Sequence, residues 1–179
     1  SGKSHIAKLF GYPVFNADKE VATIYKKNKN CFKRLKKNLP KYFSVFPANK
    51  VQIIKAIEDS EKNLKKITKI IHPAVRKKLS IFLKKNKKKK AIILDIPLLL
   101  ESKLNHKNDI LVFVQSKKSE IVKRLKRRDN FNLNLYNKFK KIQLPLSYKK
   151  KKSSHIIKND FTNKFVKISV KKILKKILK

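Results

Sequence analysis

Two glycines, one cysteine, no tryptophan, no methionine and 11 acidic side chains are spread over 179 residues. Each scarcity excludes something. A single cysteine, Cys31, rules out an internal disulfide framework, and with 4 scattered histidines it makes no zinc-ligand pattern. No apolar run approaches the roughly 20 residues of a membrane helix, because the best one, 91–100, is interrupted by Asp95 and Pro97. No secretory signal is visible at the start. A cytoplasmic protein is expected.

The shortage of acids leaves a net charge of +39, which invites a nucleic-acid reading. Yet of 50 basic residues, arginine supplies only Arg34, Arg76, Arg124, Arg127 and Arg128. Lysine, asparagine, isoleucine and phenylalanine abound instead. That pattern reads as the codon bias of an AT-rich genome acting on tolerant surface positions. Aromatics interleaved with a basic stripe, the stacking platforms that single-stranded nucleic acid requires, are not evident. The charge predicts non-specific adhesion to polyanions and a high affinity for anionic substrates, with no specific nucleic-acid partner.

What is present suits one domain of about 150 residues or slightly more, and 41% hydrophobic residues can build its core. The pattern predicts a first helix over 4–10, ended by Gly11. A short buried strand follows at 12–15, with Asn16-Ala17-Asp18 at its carboxyl end, where open α/β sheets put their ligands. From 19 to 90 the periodicity is mostly helical, broken by Pro40 and Pro47, with a separate helix over 74–82. Strands are expected at 91–95, 109–115 and 155–157. Helices are expected at 116–128 with a Ser116 cap, at 133–142 and at 165–178. Strands alternating with helical stretches predict an α/β fold with a parallel, doubly wound sheet.

The residues that carry chemistry begin with Ser1-Gly2-Lys3-Ser4, the second half of a phosphate-binding P-loop, G-x-x-x-x-G-K-[ST]. In such a loop backbone N–H groups and a helix N-terminus cradle phosphates, the lysine reaches the β- and γ-phosphates, and the serine hydroxyl holds Mg²⁺. The strand and first glycine of the motif are not in the chain ahead of it, and with methionine lacking this reads as truncation. Four strings follow in order: Asn16-Ala17-Asp18; His72-Pro73-Ala74-Val75-Arg76; Asp95-Ile96-Pro97-Leu98-Leu99-Leu100-Glu101; and Gln143-Leu144-Pro145-Leu146-Ser147-Tyr148-Lys149 leading to Ile156-Ile157-Lys158-Asn159. Together they resemble the dephospho-CoA kinases, P-loop kinases that complete coenzyme A, over essentially the whole chain.

The resemblance implies a P-loop kinase three-layer fold over residues 1–179, with a helical acceptor-binding insertion at about 19–90 and a lid at about 124–150. It implies ATP and Mg²⁺, dephospho-CoA as acceptor, and a monomer. Ser1, Gly2, Lys3, Ser4, His5, Arg124 and Asn159 would bind ATP, and Ser4 the metal. Lys3, Asp18 and Arg128 would be catalytic. His72, Arg76, Asp95, Leu98 and Glu101 would meet the acceptor, Asp95 also standing where a Walker-B carboxylate holds Mg²⁺ through water.

Several of these residues admit plainer roles. Asp18 could instead be a helix N-cap, His72-Pro73 a helix start, Glu101 a helix-start carboxylate and Asn159 an ordinary turn asparagine. Two departures from the family stand out. Asn16 replaces an aspartate, removing a charge near the metal, and Phe139, flanked by Lys138 and Lys140, falls where the family often has an arginine. Lys149 is a weaker phosphate-binding candidate. Three other readings remain: another nucleoside or nucleotide kinase of this lineage, an inactive fragment, and a basic nucleic-acid-binding protein.

Overall fold

The computed structural model describes residues 2–127 and 131–178. The elements run α1 (Lys3–Leu9), β1 (Val14–Asn16), α2 (Ala17–Lys27), α3 (Lys29–Asn38), α4 (Lys50–Asp59) and α5 (Glu61–Lys85). After these come β2 (Ile93–Asp95), β3 (Val112–Gln115), α6 (Lys118–Lys126), α7 (Leu133–Lys141), α8 (Leu146–Lys152), β4 (His155–Lys158) and α9 (Asn163–Ile177).

All described strand pairs are parallel, as the alternation of strands and helices predicts. β1 pairs with β2 in the register Val14↔Ile93, Phe15↔Leu94, Asn16↔Asp95. β3 pairs with β4, from Val112↔His155 to Gln115↔Lys158. The ladders are shorter than the apolar runs that announce them, because only 93–95 of the run 91–95 and 112–115 of 109–115 are paired. The β1–β2 register has a direct chemical consequence: it sets Asn16 and Asp95 side by side at the carboxyl ends of both strands.

Two apolar clusters hold the chain. One lies among α2–α5 and meets the sheet at Phe15; Ile24, Leu35, Phe43 and Ala56 are its most deeply buried members. Burying one large side chain of this kind contributes about 1.5–3 kcal/mol. Cys31 is part of this cluster, and burial pushes its thiol pKa up, as for an inert structural cysteine. The second cluster packs Ile6 and Phe10 of the first helical segment and Val166, Val170 and Ile173 of α9 around Ile157 of β4. That cluster fixes α1 against the sheet. Among the described residues no helix is long and apolar enough to cross a membrane.

Asparagine, abundant in the composition, recurs at helix starts. Asn16, Asn28, Asn49 and Asn132 each accept a hydrogen bond from the backbone N–H three residues on, at 2.9 Å. A cap of this type is worth about 1 kcal/mol.

Four local expectations need correction. Pro73 does not start a helix; it lies inside the 25-residue α5. The buried stripe Ile67, Ile70, Ile71, Val75 and Leu79 runs across it, and that burial outweighs one lost backbone hydrogen bond. The cap position of α6 is Lys117 rather than Ser116, with no side-chain capping bond. The cap of α2 is Asn16, so Asp18 is freed from that role. And 146–152, where no helix was expected, forms α8.

Candidate active site

The site gathers where α1 begins and β1 and β2 end. Gly2 is the N-cap residue of α1 in the left-handed region, φ 76°, which favours glycine. Its carbonyl accepts the first helical hydrogen bond, from Ile6 N at 3.1 Å. A Cβ at Gly2 would stand 2.5 Å from Asn159 Nδ2. Gly2 is therefore required both by conformation and by the approach of the 159 turn. Lys3 and Ser4 follow on the exposed first turn of α1.

Lys3 reports what surrounds it. Partial desolvation of its ammonium pulls the pKa below that of an ordinary lysine. Asp95 opposes this, Lys149 adds to it, and Asp18 and Glu101 oppose it again. The structure thus brings five charged groups into one electrostatic neighbourhood: Lys3, Asp18, Asp95, Glu101 and Lys149. Four of the five belong to the sequence expectation as site residues, and the fifth, Lys149, to its margin.

Asp18 sits in the first turn of α2, exposed, just beyond the end of β1. Asp95, at the end of β2, is 6% exposed. Asn16 Nδ2 donates to Asp95 Oδ2 at 2.6 Å, while Asn16 Oδ1 caps α2 by accepting from Lys19 N at 2.9 Å. Where the sequence suggested only a lost charge, the structure shows an amide with both ends in use. An aspartate here could cap α2 but could not donate to Asp95 when ionised.

Glu101 is not a helix-start carboxylate. It lies in the turn after β2, and its Oε1 accepts from Leu144 N at 3.0 Å and from Lys149 Nζ at 2.6 Å. Burial alone would raise its pKa. The hydrogen bond from Lys149, backbone N–H groups of Glu101 and Leu144, and the Lys149 charge outweigh this and hold it below the ordinary carboxylate value.

On the far side of Gly2, Asn159 is buried. It takes Gln115 O with its backbone N–H at 2.7 Å and accepts from Phe161 N on Oδ1 at 2.9 Å. It is a turn asparagine in its bonding and a neighbour of the loop in its placement. Phe161 adopts φ 67°, an uncommon conformation for a side chain of its size. The guanidinium of Arg124 lies 4.0 Å from the Phe161 ring centroid. Arg124, Phe161 and Asn159 thereby line the approach to Gly2.

Other expected residues make contacts of their own. The His5 ring bonds Asn163 Oδ1 at 2.8 Å, facing α9. His72 and Arg76 are one turn apart on α5; burial first, then the Arg76 charge, lowers the His72 pKa, so the ring is neutral at neutral pH. Leu98 lies in the turn after β2, half-buried, accepting from Ser102 N at 2.9 Å. Lys138, beside Phe139, donates to Ile57 O at 2.9 Å and to Glu58 O, binding α7 to the end of α4. Phe139 packs on the helical core. Ser1 and Arg128 lie outside the described residues.

For a metal, no group of three or more His, Cys, Asp or Glu side chains is arranged to hold an ion among the described residues. Mg²⁺ of the kinase type takes one or two carboxylates and leaves its other positions to phosphates and water. The Ser4 hydroxyl and the Asp95 carboxylate fit that requirement.

The family model described as dephospho-CoA kinase matches residues 1–164. A dephospho-CoA kinase of a Wolbachia from Brugia malayi is 32% identical over 97% of this chain and 91% of its own length. One from Bacillus thuringiensis is 31% identical over 98% of this chain and 92% of its own. Among solved structures, one from Thermus thermophilus matches with a TM-score of 0.81 at 23% identity, over 99% of this chain and 92% of that one. A dephospho-CoA kinase from Campylobacter jejuni matches at 0.64 and 21% identity, over 98% and 91%. These two carry the fold: an α/β P-loop kinase fold with parallel strands between helices. With the family match spanning most of its length, the chain belongs to the dephospho-CoA kinase family.

Proposed function

We propose that this chain transfers the γ-phosphoryl group of ATP to the ribose 3′-hydroxyl of dephospho-CoA, giving CoA and ADP. The observation that carries the reading is the convergence of Lys3, Asp18 and Asp95 at the strand ends beside Gly2, in a chain of this family. Phosphoryl transfer needs little covalent help from a protein; it needs reactants in line and charge neutralised.

Each residue has a task in that scheme. The N–H groups at the start of α1 and the Lys3 ammonium hold the phosphates. Asp18 accepts the proton of the 3′-hydroxyl, whose oxygen bonds to the γ-phosphorus as the bond to the β-phosphate oxygen breaks and ADP leaves. Ser1 and His5 complete the loop through their backbone, and Asn159 with Arg124 flanks the nucleotide. Arg128, next along the lid, neutralises charge on the transferring group. Asp95 supports the acceptor side with Leu98 and Glu101. Arg76 binds an acceptor phosphate through its planar fork, with the neutral His72 beside it. Ser4, and Asp95 through water, would hold Mg²⁺, whose charge would offset that of the phosphates. Residues 19–90 act as the acceptor-binding insertion and about 124–150 as the lid of one domain. The enzyme works as a cytoplasmic monomer.

The test is ADP release with a panel of acceptors. We expect kcat/KM for dephospho-CoA to exceed that for adenosine or AMP by at least about 100-fold, a lower bound, since a site whose polar groups go unpaired discriminates by up to about 10⁴–10⁵-fold. Comparable rates on all three would make it a general nucleoside or nucleotide kinase. No ADP release with any would overturn the reading.

A further inference from the structure

Lysines 149–152 are four identical residues in a row, yet only the first turns inward. The side chains of Lys149 and Glu101 are 15% and 12% exposed and meet at 2.6 Å. The same oxygen of Glu101 accepts from Leu144 N, 43 residues away in sequence. Its other oxygen, Oε2, is buried with no hydrogen-bond partner among the described residues. As a stabilising device this is a poor one. Burying an ion pair costs about as much as its attraction returns, and a carboxylate with one oxygen unsatisfied costs more. The remaining described ion pairs, Lys41–Asp59 and Lys78–Glu20, are markedly more exposed. Drawing a second ammonium toward Lys3 is also unfavourable until a polyanion arrives between them.

We propose that Glu101 is a positioning residue: it holds Lys149 as the second ammonium of the ATP phosphate site and pins the returning end of the lid, 144–149, to the end of β2. The inference rests on the kinase reading above and adds a residue pair to it. One carboxylate, reached from the end of β2, orients a cation carried by α8. The backbone bond from Leu144 keeps Glu101 in place when Lys149 turns to phosphate.

ATP binding by calorimetry, without acceptor and at about 0.3 M salt to screen the chain's general positive charge, tests it. Lys149→Met is expected to weaken ATP by about tenfold, the scale of one charge-assisted contact, and Lys149→Arg to stay within about threefold of wild type. Glu101→Gln is expected to weaken ATP by about three- to tenfold, and the Glu101→Gln/Lys149→Met double variant to bind no more weakly than Lys149→Met alone. Thermal unfolding without nucleotide identifies variants that fold. Should Glu101→Gln not fold, the Met and Arg variants of Lys149 decide the matter. Unchanged ATP affinity in a folded Lys149→Met, or additive losses in the double variant, would overturn the inference. A wild-type chain that binds ATP but leaves dephospho-CoA untouched would overturn the proposed function and not this pair. Absence of ATP binding by the wild type would overturn both.

Discussion

Across the β1–β2 ladder, one amide serves two elements: Asn16 donates to Asp95 and caps α2, the helix that carries Asp18. The two carboxylates nearest Lys3 in the proposed reaction are thus oriented by a single neutral side chain. Asn16→Asp keeps the cap, removes the donor and sets two carboxylates against each other across the register. We expect it to destabilise the protein by about 1–3 kcal/mol, the cost of unpairing a buried polar group. For a chain of this size that is roughly 2–12 °C in Tm, read by calorimetry without nucleotide; an unchanged Tm would show that the bond does not matter. At this scale much of the centre was legible in the sequence. Lys3, Asp18 and Asp95 each stand at a position with a chemical meaning, a P-loop or the carboxyl end of a buried strand. Lys149 entered only as a weaker phosphate-binding candidate, and that it alone of the four lysines 149–152 turns inward depends on tertiary packing. The Asn16 amide looked like a lost charge because a hydrogen bond across a sheet depends on a register the sequence does not print.

Among the elements, α5 shows most clearly how burial overrides a local rule. Proline disfavours a helix interior by about 3 kcal/mol, and the sequence therefore suggested a break at Pro73. The stripe on either side keeps its period, and α5 passes straight through. Pro73→Ala restores a donor in the helix interior and should raise stability by about 1–3 kcal/mol, seen as a higher denaturant midpoint with unchanged slope. A lower midpoint would mean that the proline fits a backbone shape the rest of α5 depends on. Strand positions were readable from apolar runs, their lengths were not, because pairing partners decide where a ladder ends. α8 escaped notice for a related reason: seven residues dominated by lysine carry almost no hydrophobic period. What fixes the segment is Glu101, far away in sequence.

For the whole molecule, charge and core pull in opposite directions. A net charge of +39 repels itself, and few described ion pairs relieve it. Two clusters, one in the helical insertion and one beneath α1 and α9, oppose that repulsion. Raising salt from about 0.01 M to about 0.3 M shortens the screening length several-fold, so Tm should rise; a fall would mean that attractive ion pairs dominate. The same salt should strip non-specific polyanions while leaving ATP bound, which separates a charged surface from a nucleic-acid site. The parallel α/β fold was legible because alternation of strand and helix leaves few alternatives. The central claim is narrower: phosphoryl transfer occurs at the centre formed by Lys3, Asp18 and Asp95. The most direct test is single-turnover transfer from ATP to dephospho-CoA by wild type and Asp18→Asn, with ATP affinity measured alongside. The account predicts ATP affinity within about twofold of wild type and transfer slowed by about 10²–10⁴-fold, the contribution of a positioned general base. Transfer at the wild-type rate would contradict it.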